Sequence, residues 1–222
     1  MMSQEKPSQT KPEYSLGEEI ANSVTHGVGA ALSVAGLILL VVLSANDGDV
    51  WRVVSFSVYG STLVILYLAS TLYHSFQNPR VKRVFRVFDH ASIYLLIAGS
   101  YTPVLLVSMR GAWGWSLFGV VWGLALLGVA FKVIFIGRYE VLATAAFVLM
   151  CWLVVIAFKE MIVRVPPGGI ALLIAGGLVY TLGVIFYAWE KLPFNHAIWH
   201  LFVLGGSICH FFAVLFYILP MA

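Results

Sequence analysis

An all-α bundle of seven transmembrane helices is the fold this 222-residue sequence predicts, and three observations predict it. The composition is 61% hydrophobic and only 10% charged, whereas a soluble domain is roughly 45 to 50% apolar and about 25% charged. No water-soluble surface can be made from that. The apolar residues gather into seven stretches, near 21–44, 53–76, 88–108, 113–136, 140–158, 169–188 and 195–219, each able to supply the roughly 20 residues that a membrane-crossing helix needs. Lipid offers the backbone no partners, so each stretch must satisfy its own N–H and C=O groups as a helix. Seven spans consume about 140 residues, which leaves a polar N-terminal tail at 1–20, a single membrane domain at 21–222, and no room for a soluble catalytic or nucleic-acid-binding module.

The elements follow in order. Residues 1–20, MMSQEKPSQTKPEYSLGEEI, carry no apolar core of a signal peptide, so the first span is expected to stay in the membrane. Ser15 with Glu18 three residues on has the spacing of a capping box at its start. Asn78 and Pro79 close the second span. Pro103 falls inside the third after Gly99, a kink that a bundle tolerates when neighbouring helices satisfy the freed carbonyl. Trp51, Trp113 and Trp115 stand at span ends as an aromatic belt. Cys151 and Cys209 lie in apolar runs and read as small buried hydrophobes. The glycines of IAGGLVYTLG in the sixth span read as close-packing positions. Pro193 and Asn195 precede the seventh.

The net charge of +3 is scattered over the loops and is a topology signal, not a ligand patch. Nine Lys and Arg fall on the side of the N-terminus and four (Arg52, Arg110, Lys159 and Arg164) on the other. The N-terminus is therefore expected in the cytoplasm and the C-terminus outside.

Ionisable residues inside spans are costly and are functional candidates by default. Here they share one leaflet: His74 ends the second span, Asp89 and His90 start the third, and His196 and His200 start the seventh. His196 and His200 stand four residues apart, about 6 Å along a helix and on one face, as two metal ligands from one helix should. His74 is the natural third ligand, with Ser70 one turn before it on the same face to orient it or hold a water. Three histidines and a water describe an open zinc site of the catalytic type. Asp89 and His90 point about 100° apart, so one of them faces such a site, and Asp89 is the better choice as a carboxylate that hydrogen-bonds the metal's water. His26 reads either as a partner behind the ligands or as an interfacial residue. His210 lies 14 residues beyond His196, about 21 Å along the helix, too far to share a metal; an interhelical hydrogen bond is its expected role. Trp199, between the two seventh-span histidines, is expected to pack.

Absences exclude other classes. The seventh span has no lysine for a retinal Schiff base, no HExxH motif is present, and no glycine loop could cradle a phosphate. A secondary transporter stays open, although that class more typically shows repeated halves with broken helices.

The runs EEIANSVTHGVGA, LASTLYHSF, FDHASIYLLIAGSYTP and NHAIWHLFVLGGSICH, in that order and across nearly the whole chain, resemble the bacterial hemolysin III family of the progestin and adipoQ receptor superfamily. That resemblance places the SxxxH motif on Ser70 and His74, the third-span aspartate on Asp89, and HxxxH on His196 and His200. It implies zinc on the three histidines, contact of the aspartate with the zinc-bound water, and a ceramidase-like hydrolysis of lipid amides. This chain departs from the eukaryotic receptors in lacking a sizeable N-terminal domain and in carrying His90 beside the aspartate. The expectation is a multi-pass protein of the bacterial inner membrane in which zinc, Asp89 and Ser70 hydrolyse an amide or ester of a membrane lipid. The alternatives are a non-enzymatic membrane-homeostasis protein with a structural zinc, and a hemolysin-type pore former.

Overall fold

The computed structural model describes residues 14–46 and 49–220, and the polar tail 1–13 lies outside them. Seven apolar helices are long enough to cross a membrane: α1 (Leu16–Asn46), α2 (Val50–Ser75), α3 (Pro79–Ser108), α4 (Ala112–Phe135), α5 (Glu140–Arg164), α6 (Pro167–Ala188) and α7 (Asn195–Ile218). No strand occurs among the described residues. α3 is the central helix: 83% of its apolar window is buried, against 17% for α5 and for α6. α2 and α4 flank it, α1 packs against α2 and α7, and α6 pairs with α7.

In lipid the usual helix pattern is inverted. α1 buries Glu19, Asn22, His26, Gly29, Ser33, Gly36, Leu40 and Ser44, spaced three and four apart, and turns Val24, Val28, Leu32 and Leu39 outward. Bilayer tails are as apolar as leucine, so small and polar residues mark the face that meets protein. The glycines of α6 follow the same rule. Gly176 sits so close to His210 and the Gly206 carbonyl that a β-carbon there would overlap the imidazole. Gly99 is likewise pressed against Thr62, which brings α3 onto α2.

Several boundaries differ from the sequence expectation. α1 starts at Leu16, within the segment read as tail. Ser15 and Glu18 do form the capping box, with Ser15 N and Oγ donating to Glu18 Oε2 at 2.9 and 2.8 Å and Glu18 N donating back to Ser15 Oγ at 3.3 Å. Asn78 and Pro79 open α3; they do not close α2. The Asn78 side chain accepts from Arg80 N at 3.0 Å and Pro79 takes the first turn, where its missing N–H costs nothing, so the basic run QNPRVKRVFRVF is largely helix. Beyond Pro103 the helix widens into a π-turn at Val104–Ser108.

α5 is broken. A tight 3-10 segment at Leu153–Ala157 interrupts it, and Tyr101 of α3 fills the break. The Tyr101 hydroxyl donates to the carbonyls of Met150 and Cys151, at 3.0 and 2.8 Å, and accepts from Val154 N at 3.0 Å. The irregular backbone is thus satisfied by protein, which is the condition under which it survives at membrane depth. Trp51 and Trp115 meet edge to face at one end of the bundle beside Arg110, as a belt residue pair should.

Candidate metal centre and adjoining cavities

The end of α2 and the start of α7 place His74, His196 and His200 together, all buried, with a ring nitrogen from each within 4.8 Å of the others. α1 starts at the same end and holds the rings. His74 Nδ1 donates to Glu19 Oε2 at 2.7 Å, and the other oxygen of Glu19 accepts from Lys82 Nζ at 2.7 Å. His200 Nδ1 donates to the Asn22 carbonyl at 3.2 Å, with Thr25 Oγ1 at the same distance. His196 Nδ1 meets the Tyr14 hydroxyl at 3.2 Å. A carboxylate and a carbonyl can only accept, so Nδ1 carries the proton on His74 and His200 and Nε2 is left as a lone pair.

All three Nε2 atoms are buried without a hydrogen-bond partner among the described residues. Buried polar atoms are nearly always satisfied, and ring nitrogens gathered this closely can be satisfied together by a cation. The pattern of one ring nitrogen tied to a carboxylate or carbonyl and the other free is how ligating histidines are oriented. The residues therefore fit a metal ion.

The other sequence candidates fall into place around this cluster. His26 stacks on His200, ring centroids 3.4 Å apart, so it lies behind the ligands and is not interfacial. Ser70 is fully buried and its Oγ has no partner among the described residues, while Glu19 holds the His74 ring. His90 Nδ1 donates to the Arg86 carbonyl at 2.9 Å, and the ring borders the recess that also contains His196. His210 Nε2 donates to the Leu173 carbonyl of α6 at 3.2 Å, the interhelical bond expected of it. Trp199 packs on the rings of His196 and His200.

Two cavities adjoin the histidines. The larger, about 1220 Å³ with its open part included, is walled mostly by apolar residues of α3, α5, α6 and α7 and reaches His26 and Asp89. The smaller, about 330 Å³ with its open part included, has a mostly apolar surface and is bordered by Asp89, His90, Lys132, Glu140 and His196. Asp89, Ile93, Phe147 and Trp199 line both, so the two are adjacent. Adjacent residues 100° apart on α3 explain the arrangement: Asp89 faces both spaces, His90 only the smaller.

Sequence reasoning missed Glu19, Asn22, Thr25 and Tyr14 behind the ligands. A signal was present, because Glu19, Asn22 and His26 fall on one face of an otherwise apolar helix. Lys132 counts in the sequence only among the basic residues of the loops, yet it is 2% exposed and paired with Glu140.

Seven apolar helices with a buried three-histidine cluster define an integral membrane protein with a metal-competent centre. The sequence profile described as Haemolysin-III related matches residues 14–211, and the chain belongs to that family. It is 51% identical over 205 residues to Hemolysin-3 of Bacillus cereus, covering 92% of this chain and 94% of that protein. It is 47% identical over 204 residues to the Hemolysin-3 homolog of Bacillus subtilis (strain 168), covering 92% and 96%. At 29% identity it also aligns with the human Monocyte to macrophage differentiation factor over 96% of this chain and 90% of that protein.

Proposed function

We propose that the protein is a zinc-dependent hydrolase of a membrane lipid amide or ester, acting at the inner membrane with its histidines near the cytoplasmic side. The observation that carries this reading is the position of Asp89: it lies on the wall between an apolar cavity and the small recess that contains His196. Three neutral imidazoles favour zinc over calcium or magnesium, which prefer oxygen ligands. When bound, zinc supplies Lewis-acid polarisation of a carbonyl and lowers the pKa of water.

The chain's own residues supply the rest. Glu19 holds the His74 ring and, through Lys82, is itself held. The unpartnered hydroxyl of Ser70 can fix a water beside His74, one turn away. Asp89 accepts the water's proton as general base and can return it to the leaving nitrogen or oxygen. The apolar cavity takes an acyl chain and keeps bulk water out.

Asp89→Asn tests this. Asn keeps the shape of the carboxylate but cannot take a proton, so zinc should stay bound while hydrolysis by the purified protein falls by about 10² to 10⁴. Unchanged hydrolysis with zinc retained removes Asp89 from the base role. A wild-type protein that holds zinc but cleaves none of a broad lipid panel leaves the structural reading, in which the metal clamps α2 to α7. The lytic activity in the name of the Bacillus cereus relative belongs to that protein, and no described segment here has the polar, refoldable character of an inserting toxin.

A further inference from the structure

His26 belongs neither to the three-histidine set nor to the chemistry proposed for Asp89. It is 2% exposed, with its ring stacked on His200 and set edge-on against Tyr67, centroids 3.4 and 4.9 Å apart. Both ring nitrogens are buried without a hydrogen-bond partner, and no other histidine among the described residues has both in that state. The His200 carbonyl lies close, but neither nitrogen meets it with hydrogen-bond geometry. An imidazole carries at least one N–H in every tautomer, and a buried donor left unpaired is costly. The ring also lines the larger cavity, together with Asp89. The volume open there to the centre of a water molecule is about 120 Å³, against about 10 Å³ in the small recess. One buried water needs about 10–15 Å³ on that measure, so a hydrocarbon chain enters the larger cavity and not the recess.

We infer that His26 is a substrate-holding residue whose N–H donates to the carbonyl oxygen of an acyl compound in the larger cavity. Its part in turnover rests on the hydrolase reading, but the contact itself is tested without turnover. The two polar side chains at this end of the cavity divide the work by their chemistry. The Asp89 carboxylate only accepts, which suits an attacking water and repels a carbonyl oxygen; His26 supplies the donor that the oxygen needs. Stacking on His200 ties His26 to the metal centre, and packing against Tyr67 fixes its ring before any ligand arrives. Negative charge grows on the carbonyl oxygen as water attacks, so a donor held in place there binds the transition state more strongly than the ground state. His26 keeps its proton throughout, and no bond to it forms or breaks. A chain without a carbonyl leaves the N–H unpaired.

The test uses the full-length, zinc-loaded protein and a long-chain methyl ketone, whose carbonyl cannot be hydrolysed, in competition with the alkane of equal length, read by native mass spectrometry. The ketone should bind more tightly. His26→Phe, which keeps an aromatic ring against His200 and Tyr67, should lower that preference about ten-fold with zinc content unchanged, because a site built to hydrogen-bond a group discriminates against its absence. The infrared stretch of a ¹³C-labelled ketone carbonyl should lie at lower frequency in the wild-type protein than in the Phe variant. His26→Asn or His26→Gln, each of which returns an amide N–H near one of the two ring nitrogens, should recover part of the preference. An unchanged preference and frequency in the Phe variant overturns the assignment. A loss that neither amide recovers also overturns it, since the ring then acts by packing alone. In a lipid-hydrolysis assay His26→Phe should lower kcat by about 10² to 10³ and change KM far less. Ketone binding through His26 in a protein that cleaves no lipid upholds this site and sinks the hydrolase reading. Lipid cleavage with the same kcat and KM in wild type and Phe variant does the reverse.

Discussion

Glu19 and His74, from different helices and 55 residues apart in sequence, form a 2.7 Å hydrogen bond from imidazole Nδ1 to carboxylate. The bond fixes both the ring's tautomer and its orientation. Lys82 closes the arrangement on the other carboxylate oxygen and lies over the Tyr73 ring, 4.6 Å from its centroid.

Glu19→Gln should therefore weaken metal binding without removing a ligand. Partners of this kind are typically worth about 10- to 100-fold in metal affinity. A competition titration against a chromophoric chelator checks it, and an unchanged affinity means that the ring is held by packing alone.

His74→Ala, His196→Ala and His200→Ala should each lose most of the metal, measured by elemental analysis of folded protein. His210→Ala should keep it. That change removes the bond to Leu173 and empties the slot beside Gly176, so it should cost stability, by about 1–3 kcal/mol for a buried group, and leave occupancy intact. Full occupancy in any of the first three variants takes that residue off the ligand set.

Two glycine substitutions should part in sign. Gly99→Ala places a methyl group into Thr62 at the α2–α3 contact and should lower thermal stability in detergent, since overpacking costs about 1–3 kcal/mol. Gly123→Ala meets nothing within 4 Å on α4, and it should be neutral or stabilising by up to about 1 kcal/mol through helix propensity. Equal effects at both positions contradict the tight α2–α3 packing.

A reporter fused after Ala222 should be active outside the cytoplasm and one inserted near Lys82 inside, from the nine-to-four distribution of basic residues. The opposite pattern moves the histidine cluster to the other leaflet and leaves its geometry untouched.

The seven spans, the convergence of His74, His196 and His200 on one end, and the exclusion of His210 were all legible in the sequence. Each depends on a strong local rule. A span is declared by its length and hydropathy, depth follows from counting residues along alternating helices, and a rise of about 1.5 Å per residue sets the reach of any one helix. The tertiary structure decided the rest, because it depends on how helices rotate against one another. Hydropathy carries little information about rotation when lipid and core are equally apolar. Which face of α1 looks inward put Glu19, Asn22 and Thr25 behind the histidines. The rotation of α3 gave Asp89 to both cavities and His90 to one, and the approach of α4 to the start of α5 buried Lys132, counted among the loop charges, against the half-buried Glu140.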